Sequence, residues 1–279
     1  MFFSIVIATR NAAQELPALL QSLAEQTCRN FEVLIQDGGS KDSTLAIAES
    51  FRHQLPILSI QSQKDRCVFE AWNNALPRAT GSWILFLGAD DRLADPNVLE
   101  KTIAVLEQAP KQVLFGCGAI NFVYPDGTFV EGPRWRDLER TPDFLQRGEV
   151  PVDHSALFHR TTLFTSARFD MTFKVVGDQE LLARVWTRPE QGTNLGFLVT
   201  LMAHGGISSQ RRFHFTVRRE YFRIALRYTS ITEALRVHYP RLWRSAISHA
   251  CLCFLGKKAT EWLLSKYWAT RPHNNHYAP

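Results

Sequence analysis

The stretch Ser82–Arg92, SWILFLGADDR, joins an apolar segment to two adjacent carboxylates. Trp83–Leu87 is apolar at every position, which is typical of a strand buried on both faces of a parallel sheet. Asp90 and Asp91 follow shortly after this segment. Neighbouring carboxylates repel each other, and they stay ionised most readily when a hard cation or hydrogen-bond donors lie between them. The stretch therefore predicts a buried strand that delivers two carboxylates to the edge of a sheet.

Three segments before this stretch also have the composition of buried strands, namely Phe3–Thr9, Phe31–Gln36 and Ile57–Gln61. Helical patterns lie between them. In LPALLQSLAEQ, for example, the leucines recur at i, i+3, i+4 and i+7, which places them on one face of a helix. Strands that alternate with helices in this way build a parallel sheet covered on both faces. The sequence therefore predicts an α/β fold with a Rossmann-like, mostly parallel sheet flanked by helices.

Polar residues follow each of the four predicted strands. Ligands of such sheets bind beyond the carboxyl ends of the strands, so these residues should meet at one edge. We call this set the polar edge: Thr9, Arg10, Asn11, Asp37, Lys64, Asp65, Arg66, Asp90 and Asp91. Their shared location is the strongest functional signal that the residues give without reference to any family.

Two interpretations remain open for the carboxylates of the polar edge. Asp90 and Asp91 suit Mg²⁺ or Mn²⁺, which also bridge the phosphates of a nucleotide. Alternatively they lie in a solvated loop, where Asp91 caps a following turn. Asp37 precedes Gly38 and Gly39, where a ligand can approach the backbone, and it could accept hydrogen bonds from a ribose or a base. The alternative for Asp37 is an ordinary turn between a strand and a helix.

The pattern continues beyond the fourth strand. We predict a helix over Val98–Gln108, a strand near Val113–Cys117, and an antiparallel pair joined by a turn at Pro125–Gly127. Residues 134–150 are charged and are predicted to be irregular. The segments ALFHRTTLF and GDQELLARVW then predict a short strand and a helix.

The basic charge of the chain is concentrated near its C-terminus. Residues 211–279 contain 13 Lys and Arg but 3 Asp and Glu, whereas the whole chain has a net charge of +5. We therefore predict a main domain over 1–212 and a basic, aromatic-rich helical extension over 213–279. Either this extension contacts an anionic membrane surface through its arginines and aromatic rings, or it packs on the main domain with a solvated basic side. No nucleic-acid-binding motif accompanies the charge, so no nucleic-acid partner is expected.

The location predicted from the sequence is the cytoplasm, either in free form or peripherally attached to the inner face of the cell membrane. The apolar N-terminus MFFSIVIATRN has no basic region and no cleavage site, so no signal peptide is expected in this stretch. No stretch reaches the roughly 18 apolar residues of a membrane span. The five cysteines have no zinc-binding or disulfide spacing, which indicates reduced thiols.

Four ordered motifs within residues 3–210 resemble glycosyltransferase family 2. They are SIVIATRNAAQELPALLQSLAEQT, VLIQDGGSKDST, KDRCVFEAWNNALPRATGSWILFLGADD and GDQELLARV. The resemblance implies a GT-A fold and an inverting transfer of sugar from a nucleoside-diphosphate sugar, with UDP the expected nucleotide. The branch that it most resembles makes bacterial surface polysaccharides such as colanic acid, with a glycan or lipid-linked sugar as acceptor.

The resemblance also implies roles for individual residues. Asp178 falls at the position of the family's general base. Asp91 falls at the position of the family's aspartate that ligates Mn²⁺ or Mg²⁺. His154 and Glu180 are expected to line the acceptor side. The residues expected to contact the nucleotide or the donor sugar are Thr9, Arg10, Asn11, Asp37, Lys64, Arg66, Asn73 and Asp90. The segment HGGIS, from His204, is expected to close over the site.

Alternatives remain for three of these residues. Asp178 could simply cap its helix, and His154 could be a buried structural histidine. Glu180 is a second candidate base, but positions 178 and 180 of a helix point in different directions, so only one should face the donor.

The sequence also departs from the family pattern, with Cys67 in place of a glycine, Asn74-Ala75 in place of Lys-Gly, and Gly88 before the carboxylates. These changes bear on the shape of the sugar pocket more than on the chemistry. Two other functions compete with transfer of a sugar. A nucleotidyltransferase usually has a glycine-rich basic loop after its first strand, which ATRNAAQEL lacks. A catalytically inactive sugar-nucleotide-binding relative is disfavoured because the four aspartates Asp37, Asp90, Asp91 and Asp178 are intact.

Overall fold

The computed structural model describes residues 1–124, 126–132, 139–149, 151–203, 205–206, 211–243 and 246. The strands are β1 (Phe3–Thr9), β2 (Phe31–Asp37), β3 (Leu58–Ser62), β4 (Trp83–Gly88), β5 (Arg92–Leu93), β6 (Phe115–Val123), β7 (Phe129–Glu131), β8 (Leu157–Arg160) and β9 (Gly192–Ala203). The α-helices are α1 (Leu16–Ala24), α2 (Thr44–Ser50), α3 (Val68–Ala75), α4 (Val98–Leu106), α5 (Thr141–Gln146), α6 (Gly177–Val185) and α7 (His214–Tyr228). A further helical segment covers 231–243.

The first four strands form the parallel half of the sheet in the order β3-β2-β1-β4. Thr9 pairs with Asp37, and Asp37 pairs with Ser62, so the carboxyl ends of three strands lie side by side. At the other side of β1, Ala8 pairs with Gly88, two residues before Asp90. This register brings the polar residues that follow the strands to one edge, as the sequence predicted.

The second half of the sheet is mixed and follows the order β8-β6-β9-β5. β8 runs antiparallel to β4 and to β6, β9 is parallel to β6, and β5 is antiparallel to β9. The predicted antiparallel pair is β6 and β7, in which Val123 faces Phe129. The α/β class with helices flanking the sheet is confirmed, with antiparallel strands confined to this half.

The sheet separates two apolar cores because side chains alternate between its faces. One core contains Ile5 and Ile7 of β1 together with the leucines of α1. The other contains Val6 of β1, Phe86 of β4 and residues of α3, α6 and α7. Complete burial of each such side chain contributes about 1.5–3 kcal/mol, so these two cores fix the positions of the loops at the polar edge.

Three local predictions need correction. α4 ends at Leu106 and β6 begins at Phe115, each two residues from the predicted limit. Residues 134–150 were predicted to be irregular, but the described part of this region contains α5. Pro142 occupies the first turn of α5, where its fixed φ favours the helix, and Leu145 is buried in the second core.

α7 lies beyond the predicted domain boundary at residue 212, yet it packs against α5 and α6. Val217 and Ile224 of this helix belong to the second core. The boundary stays a prediction, and most of the extension beyond residue 243 lies outside the described residues. Within the described ranges, no helix combines the length and apolar character that a membrane span requires.

Candidate active site

Asp37 is fully buried where the loops after β1, β2 and β3 meet. It accepts hydrogen bonds from Thr9 Oγ1 (3.0 Å), the amides of Gly39 (3.0 Å) and Ser40 (2.9 Å), Ser62 Oγ (2.7 Å) and the Ser40 hydroxyl. Burial raises the pKa of Asp37, but these hydrogen bonds outweigh burial and hold it below the ordinary value. Asp37 and Thr9 therefore tie the loops together, and their contact with a nucleotide stays a prediction.

The loop after β1 is braced against the loop after β2. Asn11 has a φ of +51°, a conformation that asparagine tolerates better than most residues. The Asn11 backbone amide donates to Ser40 Oγ, and the Asn11 side-chain Oδ1 accepts from the backbone amide of Lys41, both at 2.8 Å. Arg10 and, from the loop after β3, Lys64 are exposed beside this brace. The loops thus present two cations on a fixed backbone.

Asp65 packs directly against the loop after β2. A Cβ atom on Gly38 would lie 2.6 Å from Asp65 Oδ2, so only glycine fits there without displacing the carboxylate. Burial raises the pKa of Asp65, while the nearby Arg10 opposes this shift. The Arg66 guanidinium donates two hydrogen bonds to the Glu70 carboxylate, at 2.9 and 3.0 Å, and the Arg66 backbone amide donates a third at 2.7 Å. The Arg66 side chain is 72% exposed. Arg66 therefore lies in an exposed ion pair at the polar edge.

Asn73 and His154 lie deeper than the polar edge. The Asn73 amide donates to the carbonyl of Phe169 (2.9 Å) and accepts from its backbone amide (3.0 Å), which ties α3 to the loop before α6. The His154 ring stacks on the Trp72 ring with 4.8 Å between the ring centroids, and its centroid lies 5.0 Å from that of the His159 ring. Burial and then His159 hold the pKa of His154 well below its ordinary value. The predicted contacts of Asn73 with donor and of His154 with acceptor stay predictions.

Asp90 and Asp91 converge above Gly88, the last residue of β4. A Cβ atom on Gly88 would lie 2.7 Å from Asp90 Oδ1 and 3.3 Å from Asp91 Oδ2, so any other residue would displace the carboxylates. Asp90 is exposed, whereas Asp91 is 6% exposed and accepts a 2.8 Å hydrogen bond from the Gly88 amide. Burial, followed by repulsion from Asp90 and Asp153, raises the pKa of Asp91 to about 8.

Asp153 connects this pair electrostatically to Asp178. Burial and then Asp178 raise the pKa of Asp153 to about 7, and burial raises the pKa of Asp178 to about 6. Gln179 Nε2 donates to Asp178 Oδ2 at 3.3 Å and to the Val152 carbonyl at 3.4 Å, which joins the two segments. Asp153 was not among the predicted site residues, although it directly precedes His154. These carboxylates would be relieved of repulsion by a cation or by a shared proton.

Asp178 and Glu180 diverge on α6. The N-cap residue of α6 is Val176, so Asp178 lies in the first helical turn rather than at the N-cap. Glu180 turns toward α7, where it binds the Tyr228 hydroxyl (2.7 Å), Arg227 (3.3 Å) and Arg184 on α6 (3.2 Å). Of the two candidate bases, Asp178 is the one that interacts with Asp153, which in turn interacts with Asp91.

The donor set permits a divalent cation with few protein ligands. Asp90 and Asp91 supply carboxylate oxygens, the ligands that Mg²⁺ and Mn²⁺ prefer. Across the described ranges, no group of three or more His, Cys, Asp or Glu is arranged to hold a metal ion. The pair fits a cation whose other ligands are water and phosphate oxygens, which is common for Mg²⁺ bound with a nucleotide. Most of the predicted HGGIS closing loop, including His204, lies outside the described residues.

Comparison with known proteins agrees with this architecture. The sequence model of the protein family described as glycosyl transferase family 2 matches residues 4–163 of this chain. A "PGL/p-HBAD biosynthesis glycosyltransferase" of Mycobacterium bovis is 33% identical over 255 residues, which cover 89% of this chain and 93% of the relative.

Two solved structures share the GT-A fold at low sequence identity. The structure of S. aureus TarS 1-349 in complex with UDP-GlcNAc has a TM-score of 0.63 at 20% identity and covers 91% of this chain and 73% of TarS 1-349. The mannosyltransferase PcManGT from Pyrobaculum calidifontis, in complex with GDP-Man and Mn²⁺, has a TM-score of 0.62 at 17% identity. This match covers 96% of this chain and 79% of PcManGT. The family model matches more than half of the chain, and the mycobacterial relative is 33% identical over most of both sequences. The chain therefore belongs to glycosyl transferase family 2.

Proposed function

We propose that the chain is an inverting, metal-dependent glycosyltransferase that moves a sugar from a UDP-sugar to a hydroxyl of a glycan or lipid-linked acceptor. The observation that carries the proposal is the convergence of Asp90 and Asp91 above Gly88, at the carboxyl end of the parallel strands. The second support is the electrostatic link from Asp91 through Asp153 to Asp178. The UDP-GlcNAc bound to TarS supports UDP as the nucleotide.

In the proposed reaction an acceptor hydroxyl attacks the anomeric carbon of the donor. Asp178 accepts the hydroxyl proton as the new carbon–oxygen bond forms, because a neutral hydroxyl is a weak nucleophile. The bond from the anomeric carbon to the diphosphate breaks, and its electron pair leaves with the nucleoside diphosphate. One displacement inverts the configuration at that carbon without a covalent sugar–enzyme intermediate.

Residues of the polar edge would stabilise the nucleoside diphosphate as it leaves. Asp90 and Asp91 would hold Mn²⁺ or Mg²⁺, which when bound stabilises the negative charge of the departing diphosphate. Arg10 and Lys64 present exposed cations on the adjacent loops, where they can pair with phosphate oxygens. In this proposal Asp37 keeps the loops in place while Thr9 and Asn11 border the nucleotide.

Slow release of UDP from a UDP-sugar without acceptor is the expected signature of this function. The purified chain should release UDP in the presence of Mn²⁺ from one member of a panel of nucleotide sugars, and EDTA should stop the release. A nucleotidyltransferase would instead form pyrophosphate from a nucleoside triphosphate and a sugar phosphate. A chain that binds UDP-sugars, as judged by a thermal shift, but never releases UDP would be an inactive relative, and the proposal would fail.

We also propose that the chain works in the cytoplasm as a peripheral protein on the inner face of the membrane, with its C-terminal part facing anionic lipid. The support is an exposed apolar stripe on the segment 231–243. Residues four apart lie on one side of a helix, and arginines such as Arg236, which is 80% exposed, flank this side. The members of the stripe are Ile231, Leu235, Tyr239 and Trp243.

Replacing Tyr239 and Trp243 together by serine is expected to abolish binding to vesicles rich in phosphatidylserine, because aromatic rings anchor at the lipid interface. Wild type should sediment with these vesicles at low salt, less at high salt, and hardly at all with neutral vesicles. Phe129→Ser is the control, since Phe129 is a similarly exposed aromatic on β7. Equal sedimentation of the double variant and the wild type would exclude this stripe as the membrane surface.

A further inference from the structure

Glu220 of α7 is fully buried although it carries a carboxylate. Its oxygens accept three hydrogen bonds from consecutive backbone amides, those of Lys174 (2.7 Å), Val175 (3.0 Å) and Val176 (3.1 Å). Hydrogen bonds to an ionised acceptor are about twice as strong as those between neutral groups. A buried carboxylate is costly unless it is satisfied in this way, so the contact fixes residues 174–176 against α7.

These three amides lead directly into α6. Val176 is the N-cap residue of that helix and Asp178 lies in its first turn. A negative charge near the N-terminus of a helix also interacts favourably with the helix dipole. Glu220 therefore anchors the backbone two residues before the proposed base.

The start of α6 also contacts α3. A Cβ atom on Gly177 would lie 2.8 Å from the ring of Phe69 on α3, so the backbone at Gly177 is in close contact with that ring. The N-terminus of α6 is thus held by contacts with both α3 and α7, which leaves Asp178 little freedom to move.

Other residues of α7 bind the loop that precedes these amides. Arg223 donates to the carbonyl (3.2 Å) and the hydroxyl (3.1 Å) of Thr172, and Arg227 pairs with Asp170 at 2.9 Å. These arginines are partly exposed and act on the loop from its surface. Glu220 is the member of this set that is completely buried and that acts nearest to Asp178.

We propose that Glu220 is a positioning residue of the transfer reaction, which holds Asp178 at the acceptor hydroxyl through the amides of residues 174–176. This inference rests on the proposed function, because it takes Asp178 as the base. It also assigns a catalytic purpose to a helix beyond residue 163, where the match to the family model ends.

The charge of Glu220 acts in the same place as its hydrogen bonds. Burial is the main reason that the pKa of Asp178 is raised, and the negative charge of Glu220 adds to it. Loss of this charge should lower the pKa of Asp178. A looser helix start would admit water and lower it further. A solely structural residue far from the base would leave this pKa unchanged.

The test is Glu220→Gln in the full-length chain. An amide nitrogen cannot accept from the backbone, so this variant should lose part of the anchor with little change in volume. We expect kcat to fall on the order of 10²-fold, as for small misplacements of a reacting group. KM for the UDP-sugar should stay unchanged, because the loops at the ends of β1 and β2 are hydrogen-bonded to each other through Asn11, independently of α7. The acid limb of the kcat/KM profile should move to lower pH.

Glu233→Gln is the matched control, since Glu233 lies on the next helical segment and pairs with Arg147 and Arg236. It should leave kcat and the pH profile at wild-type values. If Glu220→Gln does not fold, Glu220→Asp keeps the charge but retracts it by one methylene, so it should lower kcat with a near-normal acid limb. Amide hydrogen exchange of the wild type adds a test without substitution, because fast exchange at residues 174–176 would overturn the inference.

The outcomes separate this inference from the proposed function. A folded Glu220→Gln with wild-type kcat and pH profile, alongside an inactive Asp178→Asn, overturns the role of Glu220 alone. A matching loss of UDP-sugar binding overturns it too, because that result describes a general structural residue. Wild-type protein that transfers sugar from no nucleotide sugar overturns the proposed function itself, and the role of Glu220 falls with it.

Discussion

Asp178→Asn is expected to lose most of the transfer activity, on the order of 10²–10⁴-fold in kcat, because an amide cannot take the proton of the acceptor hydroxyl. Affinity for UDP and Mn²⁺ should stay near wild type, since Asp178 lies on α6 and not among the loops that follow β1–β4. Steady-state transfer and calorimetric UDP binding measure the two effects. Asp143→Asn, an exposed carboxylate on α5, is the control and should transfer normally. Transfer near the wild-type rate in Asp178→Asn would remove it from this role.

The pH dependence of the wild type gives a second measurement of the same residue. Asp178 accepts a proton only when it is ionised, and burial raises its pKa to about 6. Activity should therefore fall as pH drops through about 6, by roughly tenfold per unit well below it. The residual activity of Asp178→Asn should lack this limb. A limb near 4, the ordinary range for an aspartate, would contradict a desolvated base.

Asp91→Ala should abolish metal-dependent binding of the donor. Asp91 is the buried member of the carboxylate pair above Gly88, so its removal leaves only the exposed Asp90 for a cation. The measurement is the thermal shift that UDP produces with and without Mn²⁺. Wild type should show a larger shift with Mn²⁺, and Asp91→Ala the same shift in both conditions. Asp126→Ala, in the turn between β6 and β7, should behave as wild type. Unchanged dependence on Mn²⁺ in Asp91→Ala would exclude Asp91 as a ligand.

The metal-free stability of an Asp91 variant distinguishes loss of a ligand from loss of the fold. The folded-state pKa of Asp91 is about 8, above its unfolded value, so the folded chain binds the proton more tightly. Its contribution to the free energy of unfolding is therefore present below about pH 4 and is lost as pH rises to 8. Asp91→Asn keeps an acceptor for the Gly88 amide without the charge. Metal-free Asp91→Asn should unfold at a higher temperature than wild type at pH 8, and a lower one would contradict this account.

The polar edge was predictable because it depends on local patterns. Apolar runs such as Trp83–Leu87 and the leucines of α1 identify the strands and helices over a few residues. The parallel register follows from their alternation, and it places Thr9 beside Asp37. The same reasoning predicted that Asp178 and Glu180 would point in different directions. These features need no knowledge of distant contacts.

The partners of the predicted residues were not predictable, because they come from distant parts of the chain. Ser62 reaches Asp37 across 25 positions, and Glu220 reaches Val176 across 44. No local pattern in the sequence indicates either of these hydrogen bonds. Asp153 gains its importance from Asp91 and Asp178, which are close to it only after folding. The mixed half of the sheet was missed in detail for the same reason, since β8 inserts between β4 and β6.

The contact between Glu220 and residues 174–176 has a consequence for protein engineering. Swapping C-terminal tails between homologues at residue 212 is an obvious way to seek new acceptor preferences. Each such chimaera would take α6, which carries the proposed base Asp178, from one parent. It would take Glu220, which binds the backbone just before α6, from the other parent. Recombinants should therefore be joined after residue 228, where α7 ends, so that both halves of this contact are inherited together.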